Sequence, residues 1–402
     1  MMNQIVFMGN GSPENGGCEA ITKGTIEILN RTIPNFSYID SYFNYEKPSN
    51  TICRNNSFDP VDYPKRWSLR WFLLQCCLHI SNRLTGWLLF SRHKKAIKDA
   101  AAVLSLGGDN YSLDYGVPTR FIAMGEYVKR QHTKFVIWGA SIGPFEHGSN
   151  FEKTIAKHFN QDVDLILVRE EVSRQYLDSI GVRNNVFVVA DPAFMMKPED
   201  CAAKVSLPQE YICINFSDLM AKYVTNGDVS KWIEICAHAI DEIYDLLGKK
   251  MVFIPHVKSD YEFGQRILAQ SKAKNAVILV DKNLNAAEMK WIISKSLCNI
   301  ACRTHSTIAS FSTGVPTVSL GYSIKSKGLN QQMYGHEKFL IYKEEISPAA
   351  IRNCVKFIFE NLDEVRCQLE EKTKLILSES CKAGEILMSL IDHSHEGSRI
   401  AY

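Results

Sequence analysis

The 402-residue chain has almost no net charge, with 46 Lys and Arg residues against 44 Asp and Glu. A protein held to nucleic acid by bulk charge is thereby excluded, and any basic feature must be local. There is no Cys-x-x-Cys knuckle and no His spacing of the kind that holds zinc. The 12 cysteines occur singly or as Cys76-Cys77, mostly inside apolar runs such as 211–214 and 297–302. They read as buried, reduced thiols of a cytosolic protein that needs no metal. No basic, apolar leader precedes the first strand-like run at 4–8, so nothing marks the chain for export. An uninterrupted membrane-spanning segment is also missing, because the one stretch of that length, 71–90, carries Gln75, His79, Asn82 and Arg83. The G-x-G-x-x-G fingerprint is absent too, which leaves a dinucleotide site without support.

What the chain does have is strand-like apolar runs alternating with helical stretches, the pattern of parallel α/β layers. Runs at 4–8, 102–106, 134–138, 165–168 and 186–190 fill the first half. Those at 211–215, 251–255, 276–281, 299–302, 316–320 and 339–342 repeat the rhythm in the second. Between them, 191–208 carries Pro192, Pro198 and Pro208 with scattered charge, a composition suited to a connection. The expectation is two doubly wound domains, 1–205 and 206–345. A helical tail follows over 346–402, where Ile351, Val355, Phe357, Ile358 and Leu362 recur at helical spacing.

One stretch breaks the even charge. From Tyr63 to Lys98 there is no Asp or Glu, while Lys65, Arg66, Arg70, Arg83, Arg92, Lys94, Lys95 and Lys98 are interleaved with Trp67, Trp71, Phe72, Trp87 and Phe90. Such an insertion, 63–98, suits peripheral contact with a membrane, apolar face in the lipid and cations on anionic headgroups. A pair of helices whose apolar face is buried in the domain or at a subunit contact fits the sequence equally well.

Three loops of the first half leave strand ends, where open α/β sheets bind ligands. They are 9–19, with Asn15, Gly16, Gly17 and Glu19; 106–112, with Gly107, Gly108 and Asp109; and 138–145. Their glycines suit either close approach to a ligand or tight turns, and Asp109 is either exposed at a strand end or the N-cap of a helix. Arg169 ends the run 165–168, where its guanidinium can grip a carboxylate or phosphate through two parallel hydrogen bonds, or pair with a neighbouring acid. The densest constellation is 302–328. Arg303 and His305 leave one strand and Lys325 lies beyond the next, so two neighbouring parallel strands bring all three to one edge. An imidazole beside Arg at a helix start, facing Lys, is a better site candidate than a lone His.

In this order, Asn15-Gly-Gly-Cys-Glu-Ala20, Gly107-Gly-Asp109, Ser141-Ile-Gly-Pro144, Arg169-Glu-x-x-Ser173, Ala190-Asp-Pro-Ala193, Arg303-x-His305, Gly314-Val-Pro316 and Tyr322-x-x-Lys325-x-x-Gly328 closely resemble the polysaccharide pyruvyl transferase family. The resemblance implies an α/β fold of two Rossmann-like domains facing across a cleft (GT-B-like), the first on the acceptor side and the second on the donor side. It also implies phosphoenolpyruvate as donor co-substrate, no cofactor, and a pyruvate ketal on two hydroxyls of one sugar in a surface polysaccharide or its lipid-linked precursor. By the same resemblance His305 is catalytic with Asp109 nearby, and Arg169, Arg303 and Lys325, with Gly107 and Gly108, surround the donor. Asn15, Gly16, Gly17 and Glu19 fall on the acceptor side. Cys18 departs from the family pattern, in which an acid often precedes the glutamate matched by Glu19.

The chemistry asks for these residue types on its own account. Phosphoenolpyruvate carries a carboxylate and a phosphate, which fixed cations can hold without a metal. Two hydroxyl additions each move a proton, work for which a positioned imidazole is suited. Two rivals remain at this level: a GT-B glycosyltransferase using a sugar nucleotide, and a catalytically idle scaffold in a glycan-assembly complex.

Overall fold

The computed structural model describes residues 3–44, 58–113, 116–281, 283–322 and 324–397. The chain divides into two compact units, one of Met1–Pro13, Thr25–Pro192 and Glu379–Tyr402, the other of Glu14–Gly24 and Ala193–Ser378.

Unit 1 is built on a six-stranded parallel sheet of β1 (Asn3–Met8), β2 (Phe36–Ser41), β5 (Ala102–Ser105), β6 (Lys134–Ala140), β7 (Leu165–Val168) and β8 (Val186–Val188), in the order β2-β1-β5-β6-β7-β8. Two-residue strands β3 (Phe43–Asn44) and β4 (Val61–Asp62) pair apart from it. Ile5, Val6, Phe7 and Met8 are fully buried, as expected of a parallel strand covered on both faces. The helices are α1 (Gly16–Thr32), whose first half to Gly24 falls with unit 2, α2 (Leu69–Ile80), α3 (Asn82–Phe90), α4 (Lys94–Asp99), α5 (Thr119–Lys129), α6 (Asn150–Gln161) and α7 (Glu171–Ser179). One core gathers Val6, Met8, Val103 and Ile137 from the sheet with Leu74, Phe90, Met124 and Phe159 from the helices. Strand order reverses between β1 and β5, which makes the carboxyl ends of these two strands the switch point of the sheet.

Unit 2 repeats the plan. Strands β9 (Tyr211–Asn215), β10 (Lys250–Phe253), β11 (Val277–Leu279), β12 (Asn299–Ala301), β13 (Thr317–Gly321) and β14 (Leu340–Tyr342) form a parallel sheet ordered β11-β10-β9-β12-β13-β14, with its switch point between β9 and β12. Its helices are α8 (Ala221–Val224), α9 (Val229–Leu247), α10 (Lys258–Gln270), α11 (Ala286–Ser294), α12 (Thr304–Phe311), α13 (Ile324–Tyr334), α14 (Pro348–Glu360) and α15 (Leu362–Glu379). The last helix, α16 (Lys382–Gly397), falls with unit 1.

The division falls at Pro192–Ala193 rather than near residue 205, because the connecting segment is tied down in unit 2. Buried Lys290 on α11 donates to the carbonyls of Phe194 and Met196 at 3.1 and 2.5 Å, and the Glu199 amide donates to Ala287 O at 3.0 Å. The tail is likewise shared. Thr373 on α15 donates to Phe311 O at 2.6 Å within unit 2, whereas Gly384 on α16 lies against Thr32 in unit 1, where a Cβ would collide. The described cysteines are free thiols, and burial pushes those of Cys213 and Cys302 up to about 12.

Candidate functional site

Unit 2 gathers its polar residues at the switch point. Asn215 ends β9; its side-chain oxygen accepts from the Arg303 amide at 3.0 Å and its amide donates to Ile254 O at 2.9 Å. With Asn215 oriented by these two bonds, its NH₂ lies 3.4 Å from Nδ1 of His256. Burial pushes His256 down to about 4, Arg303 and His305 adding to the effect against Asp260, so this imidazole is neutral near pH 7. Asp260, fully buried on α10, accepts from the Arg303 Nε and Nη2 at 3.1 and 2.7 Å and from the His256 amide at 3.2 Å. Burial works against the charge of Arg303, but Asp260, with a smaller part from Asp218, offsets it, and the net displacement is upward. The two-pronged pairing fixes the guanidinium at the end of β12.

His305 follows in the first turn of α12, half-buried, and no side chain caps that turn. An uncapped helix start presents N–H groups and a partial positive charge to whatever anion approaches. The imidazole of His305 lies on the backbone of Gly17: a Cβ there would stand 2.5 Å from Nδ1. Gly16 donates its amide to His256 O at 3.2 Å, and Asn15 caps α1 by accepting from the Gly17 amide at 2.9 Å. The segment Asn15-Gly16-Gly17 therefore belongs with His256 and His305 in unit 2. Glu19 is committed to structure, accepting from the Ala286 amide at the start of α11 at 2.8 Å and pairing with Lys23 at 2.8 Å. β12 and β13 pair in parallel, Asn299 opposite Thr317, and Lys325 lies in the first turn of α13 beyond β13.

Unit 1 holds a different arrangement. Arg169, 7% exposed, donates from Nε to Ser141 Oγ at 2.8 Å, from Nη1 to Asp191 at 2.6 Å and from Nη2 to Asp109 at 3.0 Å, with Glu170 3.5 Å from Nε. Burial opposes its charge, but the three acids outweigh burial and displace it upward. All three of its nitrogens are thus engaged by the protein. The sequence offers Arg169 either as a grip on a carboxylate or phosphate or as the partner of a neighbouring acid, and the geometry shows it paired with Asp109, Asp191 and Glu170 at the centre of a buried ion cluster. The Asp109 carboxylate is held by Arg169 at 3.0 Å. Gly107, at φ +125°, leaves room for the Asn110 amide, which donates to Gly9 O and Leu106 O at 3.0 and 2.6 Å and so ties the loops after β1 and β5 together. Gly108 leaves room for Arg169, whose Nη1 would stand 2.5 Å from a Cβ. Both glycines thus serve packing inside unit 1. A further chain runs from Glu170 through Ser173 Oγ to the Ile142 amide, at 2.7 and 2.8 Å.

Beside Asp109 opens a cavity of about 290 Å³ lined by Tyr63, Gln75, His79, Asn110, Ser112 and Arg120. Larger depressions of about 460 Å³ at α5 and α6 and about 450 Å³ at α13 to α15 hold none of these residues. Among the described residues, no group of three or more His, Cys, Asp or Glu is placed to hold a metal ion.

Two parallel, doubly wound α/β units make a GT-B-like fold. A UDP-N-acetylglucosamine 2-epimerase structure matches at TM-score 0.60 and 12% identity over 98% of this chain and 96% of its own. The Methanocaldococcus jannaschii UDP-GlcNAc 2-epimerase in complex with UDP-GlcNAc and UDP matches at TM-score 0.56 and 11% identity, over 98% of this chain and 100% of its own. Apo UGT2 of Phytolacca americana matches at 0.60 and 11%, over 97% and 99%. At such identity the likeness concerns the fold. No curated protein sequence matches the chain. The profile of the family described as Polysaccharide pyruvyl transferase matches residues 15–324, and the chain belongs to that family. It is a pyruvyl transferase of polysaccharide biosynthesis.

Proposed function

We propose that the chain transfers the pyruvyl group of phosphoenolpyruvate to two hydroxyls of one sugar in a surface polysaccharide or its lipid-linked precursor, releasing phosphate and leaving a ketal. The observation that carries this reading is the unit 2 constellation: a fixed guanidinium, an imidazole at an uncapped helix start, and Lys325 beyond the adjacent strand. Arg303, Lys325 and the start of α12 suit the carboxylate and phosphate of a small dianion. His305 delivers a proton to the methylene carbon, which makes the neighbouring carbon electrophilic. One sugar hydroxyl adds there and returns a proton to the imidazole; a second hydroxyl then displaces the phosphate, its proton passing through the same imidazole to the departing phosphate oxygen, and closes the ketal. His256, neutral near pH 7, adds no positive charge beside Arg303.

In unit 1, Asp109 aims a carboxylate oxygen fixed by Arg169, and its neighbouring cavity approaches the roughly 300–1,000 Å³ of small-ligand sites. Amide, hydroxyl and aromatic side chains of that kind suit a sugar, so we assign the cavity to the acceptor. The reaction belongs in the cytoplasm, and for a lipid-linked acceptor at the inner face of the membrane. The competing reading, transfer from a sugar nucleotide, takes its support from the UDP named with a structural neighbour. Thermal shift separates the two, since selective binding raises apparent stability. Phosphoenolpyruvate should raise the melting temperature where UDP-sugars do not; the opposite pattern favours the glycosyltransferase.

A further inference from the structure

The insertion 63–98 leaves an apolar face that the fold does not cover. On α2 only Leu74 is fully buried, while Leu69, Phe72, Leu73, Cys76 and Ile80 recur at helical spacing on the exposed side, Leu69 and Ile80 at 78% and 76% exposure. α3 turns Thr85, Gly86, Leu89 and Phe90 inward and Leu84 and Trp87 outward. Its seat is firm, because a Cβ on Gly86 would stand 2.9 Å from Ala123 O on α5. At the start of α2, Trp67, Trp71 and Phe72 cluster with ring centroids 5.1 to 6.0 Å apart, and the Arg66 guanidinium lies 5.2 Å from the Trp67 ring. Lys65, Arg66, Arg70, Arg83, Lys94 and Lys95 are exposed around this face, and the segment contains no acid.

We propose that α2 and α3 dock the protein on a lipid bilayer that carries anionic headgroups. Helices of 12 and 9 residues are about 18 and 14 Å long, too short for the ~30 Å hydrocarbon core, and no described helix is long and apolar enough to cross it. The pair lies along the interface, Trp and Leu side chains among the acyl boundary and the cations on phosphates. Charge selects this occupant over a second copy of the chain, since a two-fold contact through the same face sets cations against cations. The inner side of α2 contributes Gln75, Leu78 and His79 to the cavity beside Asp109, so docking brings that cavity towards a membrane-borne glycan. This last use rests on the lipid-linked acceptor; the docking itself does not.

The test is co-sedimentation of the whole protein with vesicles of phosphatidylcholine, alone or mixed with phosphatidylglycerol, without donor or acceptor. Binding to the mixed vesicles with a blue shift of tryptophan emission is expected. The pair Leu73→Ser with Trp87→Ser and the pair Arg70→Glu with Arg83→Glu should each weaken it by about tenfold or more, with melting unchanged because these side chains are exposed. No binding to either vesicle, or binding indifferent to both pairs, overturns the proposal. So does a dimer in sedimentation velocity that the same variants dissociate without any vesicle binding. Because no reaction is read, failure of the ketal assignment leaves this result standing, and the reverse holds too.

Discussion

Replacing His305 by Ala should lower ketal formation by about 10² to 10⁴-fold while the protein melts at its usual temperature, since a positioned imidazole contributes on that scale to proton transfer. The side chain is half-buried, so its removal leaves a small cavity at most. Gly17→Ala should act in the same direction, because its Cβ would meet Nδ1 at 2.5 Å and displace the ring. The kinetic split is informative. Loss in kcat with little change in KM places His305 on the reacting atoms, whereas a rise in KM alone would make it a binding residue. Turnover at the normal rate by His305→Ala would remove it from the chemistry.

The second large effect concerns stability. Arg169→Met should destabilise unit 1 by about 3–5 kcal/mol, since it leaves Asp109, Asp191 and Glu170 around an uncharged stem. Arg169→Lys should recover part of that, because an ammonium keeps the charge but cannot reach three partners in one plane. Urea denaturation followed by circular dichroism measures both. A loss below about 1 kcal/mol for the Met variant, the range of exposed pairs, would show the cluster to be solvated rather than structural.

Much of this was legible in the sequence, for identifiable reasons. Parallel strands buried on both faces write themselves as apolar runs, and eleven such runs fall on observed strands. β2 escaped because Phe36-Ser-Tyr-Ile-Asp-Ser41 mixes polar and apolar residues, and only part of it is buried. Helix α1 starts at Gly16, inside the loop read over 9–19; Asn15 as its cap was the available signal. Arg303 and His305 stood out as candidates because they leave a strand end, and the structure places that end at a switch point.

Their supports were missed. Asp260 lies in a charged stretch that reads as an ordinary first helical turn, and His256 follows a proline with no motif around it. Asn215 ends an apolar run as an unremarkable polar residue. Only the three-dimensional return of β10 and α10 to the end of β12 gives these residues a role. Asp191 was visible within Ala190-Asp-Pro-Ala193, but a buried acid declares itself only through its partner, Arg169. The same holds for 63–98, where composition leaves burial and exposure open and the side-chain exposures of Leu69, Ile80 and Trp87 separate them.

The most direct measurement is the mass of a glycan acceptor after incubation with the protein and phosphoenolpyruvate, read together with released phosphate. One ketal-linked pyruvate gained per phosphate released, and neither with His305→Ala, is the predicted result. An acceptor panel left unchanged by phosphoenolpyruvate but lengthened by a sugar from a sugar nucleotide would contradict it.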